Sequence, residues 1–206
     1  MKLTLTFLSC FLYSILFSQV EYPDNSFGDH GTVITHFTYG AEISAITMQE
    51  DLKIIAVGQN GNYFVIARYN SDGTLDASFG FDGAVKTLVP GFVPSPSAVA
   101  VQKDGKIIVA GSASSFNSIA FVARFLPDGT PDPSFGTYGV LLPTIAAVSY
   151  GISGMVLQDD QKILVCGQSK VSASAPSSFS AFRLNPDGTS DASFGVNGAV
   201  FIDFKP

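Results

Sequence analysis

Tryptophan is absent from the 206 residues, cysteine and histidine occur twice each, and charged residues make up only 14%. Two cysteines cannot build a disulfide framework or a Cys-rich zinc site. Basic charge is scarce as well: 11 Lys and Arg stand against 17 Asp and Glu, a net charge of −6. An acidic chain repels phosphate backbones, so no nucleic-acid partner is expected. No apolar run comfortably reaches the ~20 residues of a membrane span. What is plentiful is apolar and turn-forming: 46% hydrophobic residues, 20 Gly, 11 Pro and 18 Phe. That composition excludes a disordered chain and suits many short strands joined by turns.

The N-terminus reads as an export signal over residues 1–18. Met1-Lys2 supplies a positive start, Leu3 to Phe17 is apolar, and Ser18 offers a small residue before Gln19. Cys10 lies within the apolar run, a poor position for lipid attachment. Removing residues 1–18 takes Lys2 and no acid, leaving 10 bases against 17 acids, a charge of −7. The mature chain, 19–206, is then expected to be secreted or held at the cell surface, with no stable membrane span.

The rest of the chain repeats itself. Asp24-Asn-Ser-Phe-Gly28 recurs from Asp76, Asp132 and Asp191, each time with a further Gly three residues on. Its phenylalanines, Phe27, Phe79, Phe135 and Phe194, stand 52, 56 and 59 residues apart. Two more blocks keep step: Lys-Ile-(Ile/Leu)-x-x-Gly from Lys53, Lys106 and Lys162, and x-x-Asp-Gly-Thr ending at Thr74, Thr130 and Thr189. The repeats run over about 24–75, 76–131 and 132–190, with the start of a fourth at 191–206.

Each unit divides into four short strands with no sustained helical period. The first are Ile43–Gln49, Ala98–Gln102 and Ser153–Gln158; the second are Lys53–Val57, Lys106–Ala110 and Lys162–Cys166. The third are Tyr63–Tyr69, Ile119–Phe125 and Phe179–Leu184. Thr32–Phe37, Ala84–Val89, Val140–Pro143 and Ala199–Phe204 are of the fourth kind. Antiparallel four-stranded units of this length are the size of propeller blades. The expected fold is all-β and β-propeller-like: three consecutive blades plus an orphan N-terminal outer strand, an open arc or a piece of a larger ring.

The Asp-x-Ser-Phe-Gly-x-x-Gly, Asp-Gly-Lys-Ile-Ile-Val-Ala-Gly and Pro-Asp-Gly-Thr blocks together resemble the delta-60 repeat of exported bacterial proteins. The resemblance covers about residues 24–204 and is fullest in the middle unit; Asp51-Leu52 and Asp160-Gln161 replace Asp-Gly at the other two hairpins. It implies a propeller-like fold and carries no catalytic residues or cofactor with it.

The recurring side chains read as structural. Phe27, Phe79, Phe135 and Phe194 are suited to fill the gaps between blades. All three arginines, Arg68, Arg124 and Arg183, share one place in the third strand, which suggests ion pairs with Asp76, Asp132 and Asp191. Repetition argues against a single catalytic Arg. The acids of the Asp-Gly-Thr loops are too few for the six to eight oxygens calcium takes, and capping of the turn accounts for them. His30 and His36 stand beside no nucleophile, and Cys166 aligns with Val57 and Ala110, the pattern of a small core residue.

Binding is expected on the face bearing the loops that differ most between units, the Pro-rich stretch 89–97 and the Ser-rich stretch 168–178. Phe92, Phe116, Tyr150 and Phe179 are the aromatics placed to reach it. The expected function is a non-enzymatic exported scaffold for a protein or glycan ligand, with no cofactor. A metal-dependent propeller hydrolase or lactonase, and a spacer in a larger surface protein, are the rival readings. Three blades fall below the four to eight of closed propellers, so further repeats or a second protomer are needed to close a ring.

Overall fold

A computed structural model describes residues 24–37, 40–145, 147, 149–170, 172 and 174–202; the export signal expected over residues 1–18 lies outside them. Three four-stranded antiparallel sheets follow one another along the chain. The first blade is β1 (Glu42–Met48), β2 (Ile54–Asn60), β3 (Tyr63–Tyr69) and β4 (Ala84–Thr87). The second is β5 (Val93–Val101), β6 (Ile107–Ser114), β7 (Ser118–Phe125) and β8 (Val140–Leu141). The third is β9 (Ser149–Leu157), β10 (Ile163–Lys170), β11 (Ser178–Leu184) and β12 (Ala199–Ile202). Each sheet is a meander in chain order, and among the described residues no helix occurs. The architecture is that of consecutive propeller blades.

The middle strands are apolar on the faces that meet a neighbouring blade, and among the described residues only the second blade is covered on both sides. Ile55, Val57, Phe64 and Ile66 of the first blade meet Ile107, Val109, Phe121 and Phe125 of the second in one core. Phe64 packs at 5.3 Å from Phe121 and edge-on to Phe125, a geometry that adds to simple area burial. Ile108, Ala110, Ala120 and Val122 then meet Ile163, Val165, Phe182 and Leu184 of the third blade. Each blade thus presents one face forward and one back along the chain.

Three features differ from the sequence reading. Part of the Pro-rich stretch is strand: Pro94 and Pro96 lie in β5, paired with Ala113 and Gly111. β5 pairs only with β6 in its sheet, so prolines that donate no hydrogen bond are tolerated on this edge. The orphan segment Thr32–Phe37 forms no ladder; its one bridge is Asp29–Thr32. The outer edge of β3 is already taken by β4, so the segment instead lays Val33 and Phe37 on Ala56, Ala67 and Tyr69; together with the Asp24–Gly31 turn ahead of it, it forms a strap across the first blade's rear face. Cys166 is exposed rather than buried. Its counterparts Val57 and Ala110 are covered by the next blade, and among the described residues no blade follows the third.

Candidate functional site

The repeated polar residues build one joint three times. In the first blade, Arg68 Nε donates to Asp76 Oδ2 at 2.7 Å, and Ser78 donates to Oδ1 through both its N–H and Oγ. Lys53 Nζ reaches the same Oδ2 at 2.8 Å. The guanidinium stacks 4.6 Å from the centre of the Phe79 ring. Arg124, Asp132, Ser134 and Phe135 repeat this arrangement, as do Arg183, Asp191, Ser193 and Phe194. A lysine hydrogen bond, then Ser78, holds the Asp76 carboxyl far below the usual carboxylate range; for Asp191, Ser193 leads. Burial works against the charge on Asp132, but hydrogen bonds from Ser134 and the Arg124 charge outweigh it and its pKa falls.

The joint also ties each blade to the next. Arg68 Nη1 donates to the Pro127 carbonyl at 2.6 Å, and Arg124 Nη1 to the Pro186 carbonyl. The Phe79 ring lies against Gly129, where an added Cβ would stand 2.9 Å from it. Phe135 lies likewise on Gly188, and Phe27 of the strap on Gly73. These glycines have φ near +90°, so the Asp-Gly-Thr turn needs glycine twice over, for its backbone and for the ring above it. Within each turn, Asp72, Asp128 and Asp187 accept from the N–H and Oγ of the threonine two residues on. Threonine bonds of these two kinds pull all three carboxyls below their ordinary values.

The repetition breaks at the second junction. Gly28 N–H donates to the Asp72 carbonyl and Gly80 N–H to Asp128, both at 2.8 Å; among the described residues the counterpart bond from Gly136 to Asp187 is not formed. Outer strand β8 is two residues against four in β4. Pro143 arrives three residues after the strand begins, where Pro90 comes six after Ala84, and its missing N–H ends the ladder early. The chain departs over Leu142–Ile145 and leaves a wedge of about 980 Å³ between the second and third blades. Leu142, Ile145, Phe182 and Phe201 give it apolar walls, and Asp187, Thr189, Ser190 and Asn197 a polar rim.

A second concavity, of about 620 Å³, lies on the forward face of the third blade, with Cys166, Phe179, Ala181, Val200 and Ile202 in its lining. The four aromatics singled out from the sequence do not share a site. Phe179 lines this concavity, and Phe116 stands fully exposed between β6 and β7. Phe92 packs on the core between the first and second blades. Tyr150 is buried between the second and third, and burial raises its pKa. The wedge was missed by sequence reasoning; the early Pro143 was the one signal for it. Among the described residues no three of His, Cys, Asp and Glu gather closely enough to share a metal ion.

Three segments, residues 49–79, 102–135 and 158–194, match a family described as a β-propeller domain of unknown function, DUF5122. Each match carries one blade's lysine strand, third strand and Asp-x-Ser-Phe turn, so the chain is built of β-propeller repeats. No curated protein matches. Among solved structures, a protein of unknown function from Bacteroides caccae is similar at 12% identity, over 82% of this chain and 74% of that one, with a TM-score of 0.33.

Proposed function

We propose that this β-propeller repeat module is an exported, non-enzymatic scaffold that holds a partner protein in the wedge between its second and third blades. The observation that carries the reading is the broken repetition at that junction. Where the first junction is closed by a four-residue outer strand and a glycine-to-aspartate hydrogen bond, the second is propped open. Apolar walls with a rim of a few polar groups make the usual lining of a binding cleft. An extended segment bearing aliphatic or aromatic side chains fits those walls, and the Gly136 N–H and the rim of Asp187 to Ser190 are placed for its backbone.

The repeat-equivalent aspartates, by contrast, are engaged with arginine, lysine, serine or threonine partners inside their own joints. Their lowered pKa values answer to that structural role. Export rests on the N-terminal sequence, and kinship with the delta-60 repeats on the three motif blocks.

The test is a peptide and glycan array probed with the mature chain and with Leu142→Glu, which sets a charge at the mouth of the wedge. Peptides with clustered apolar side chains should be retained by the natural chain and lost with the variant. Retention undiminished in the variant, or glycans alone retained, would overturn the wedge as the site; no retention of any probe would leave the spacer reading.

A further inference from the structure

The forward face of the third blade is half of a junction whose other half this molecule also carries. At the first junction the forward face offers Phe64, Val57 and Ile66, and at the second Ala120, Ala110 and Val122. The strand registers place Phe179, Cys166 and Ala181 at the same positions. Phe64 is fully buried on the next blade, whereas Phe179 is 62% exposed. The joint is incomplete in the same way. Arg68 and Arg124 reach forward to a proline carbonyl of the following blade, but Arg183 Nη1 turns back to Gln158 Oε1 at 3.3 Å. Phe79 and Phe135 are fully buried under the next Asp-Gly-Thr turn; Phe194 is only partly covered.

The rear face of the first blade is the complementary half. Val99 and Val101, and Met155 and Leu157, pack against the blade before them. Their counterparts Ile46 and Met48 are 65% and 62% exposed. Among the described residues only the strap covers this face, and only in part, with Phe27 on Gly73 and Gly28 donating to Asp72. The strap residues Asp24 to Val33 are the same motif as Asp191 to Val200, Asp-x-Ser-Phe-Gly-x-x-Gly-x-Val. The strap has no described arginine behind it to supply the Ser71 carbonyl, counterpart of Pro127 and Pro186, with the bond that the other junctions have.

We infer that a second copy of this chain docks head to tail, the forward face of each third blade on the rear face of the partner's first. Its Phe194–Val200 turn displaces the strap, and its Arg183 reaches the Ser71 carbonyl. Two such contacts related by a two-fold axis close a ring of six blades, within the range of closed propellers. The contact is heterologous, so closure by rotation is what separates a ring from a filament. The argument is continuity: the two ends carry the two halves of an interface the molecule already makes twice, and a repeated unit buries its apolar face only against a neighbour.

The test is charge complementation on exposed positions, read by light scattering and sedimentation of the mature chain. The natural protein should be a discrete dimer. Phe179→Glu and Ile46→Lys should each be folded by circular dichroism, yet monomeric, their dimer affinity weakened at least tenfold. An equimolar mixture of the two should recover dimers, because one contact then pairs natural faces and the other pairs Glu with Lys. Phe27→Ala, which loosens the strap, should strengthen dimerisation. A natural protein that stays monomeric up to about 100 μM, single variants that still dimerise, a mixture that fails to recover, or open-ended polymers would each overturn the inference.

Discussion

Replacing Arg124 by alanine tests whether the joint, and not only apolar packing, holds the second blade to the third. Four interactions go at once: the 2.8 Å bond to Asp132, the bond across to the Pro186 carbonyl, the 3.0 Å bond to Ser134, and the stack on Phe135 at 4.5 Å. The Asp132 carboxylate stays buried, with Lys106 Nζ at 3.9 Å as its remaining cation. Removing one partner of a buried pair costs about 3–5 kcal/mol. Taking about 3 kcal/mol, and a urea slope of about 2 kcal/mol/M, the midpoint should fall by about 1.5 M. Arg183→Ala should fall clearly less. Its side chain is 19% exposed against 6% for Arg124, it crosses no described junction, and Lys162 stands 3.1 Å from Asp191 to hold that charge. Lys106→Ala should move the midpoint least, since its closer partner is the exposed Asp104 at 2.9 Å and surface pairs contribute about 0–1 kcal/mol. Equal midpoints for the Arg124 and Arg183 variants would refute the reasoning.

Stability should fall with acid: the depressed folded pKa values of Asp76, Asp132 and Asp191 mean the unfolded chain binds protons first, so their contribution is present above about pH 4 and lost as pH drops through the folded values. Urea midpoints from pH 7 to 2 should show that slope, and Asp132→Asn should flatten it. Gly129→Ala places a Cβ 2.9 Å from the Phe79 ring at φ +89°, whereas Gly61→Ala, at φ +60°, meets nothing within 4 Å. Thermal melts should show the first losing clearly more than the roughly 1–2 kcal/mol that a left-handed backbone alone costs the second. Thr87 Oγ1 is buried without a partner, while Thr35 in the strap shares a hydrogen bond with Tyr69; at the next junction Phe125 stands in that tyrosine's place. Thr87→Val should therefore be neutral or stabilising by up to about 1 kcal/mol in the same melts.

The blades were legible in the sequence because each is local. An Asp-Gly-Thr turn, an Asp-x-Ser-Phe-Gly turn and alternating apolar runs fix four strands within some fifty residues, and repetition marks each position three times over. Strand pairing follows from short connections, so the repeat alone groups Arg68 with Asp76. What lay beyond the sequence was whatever depends on which neighbour is present. Val57, Ala110 and Cys166 occupy one position, yet the first two are core and the third is surface, because only a following blade covers that face. Thr32–Phe37 has the pattern of an outer strand, but the edge it would pair with belongs to β4, and it became a strap instead. Tyr150 and Phe92 look alike as loop aromatics, and only packing buried them. The wedge came from a ladder that Pro143 cut short between two blades, a gap that neither blade's sequence records. Local turn chemistry and apolar periodicity determine each blade; the faces, joints and cleft arise only when one blade meets the next.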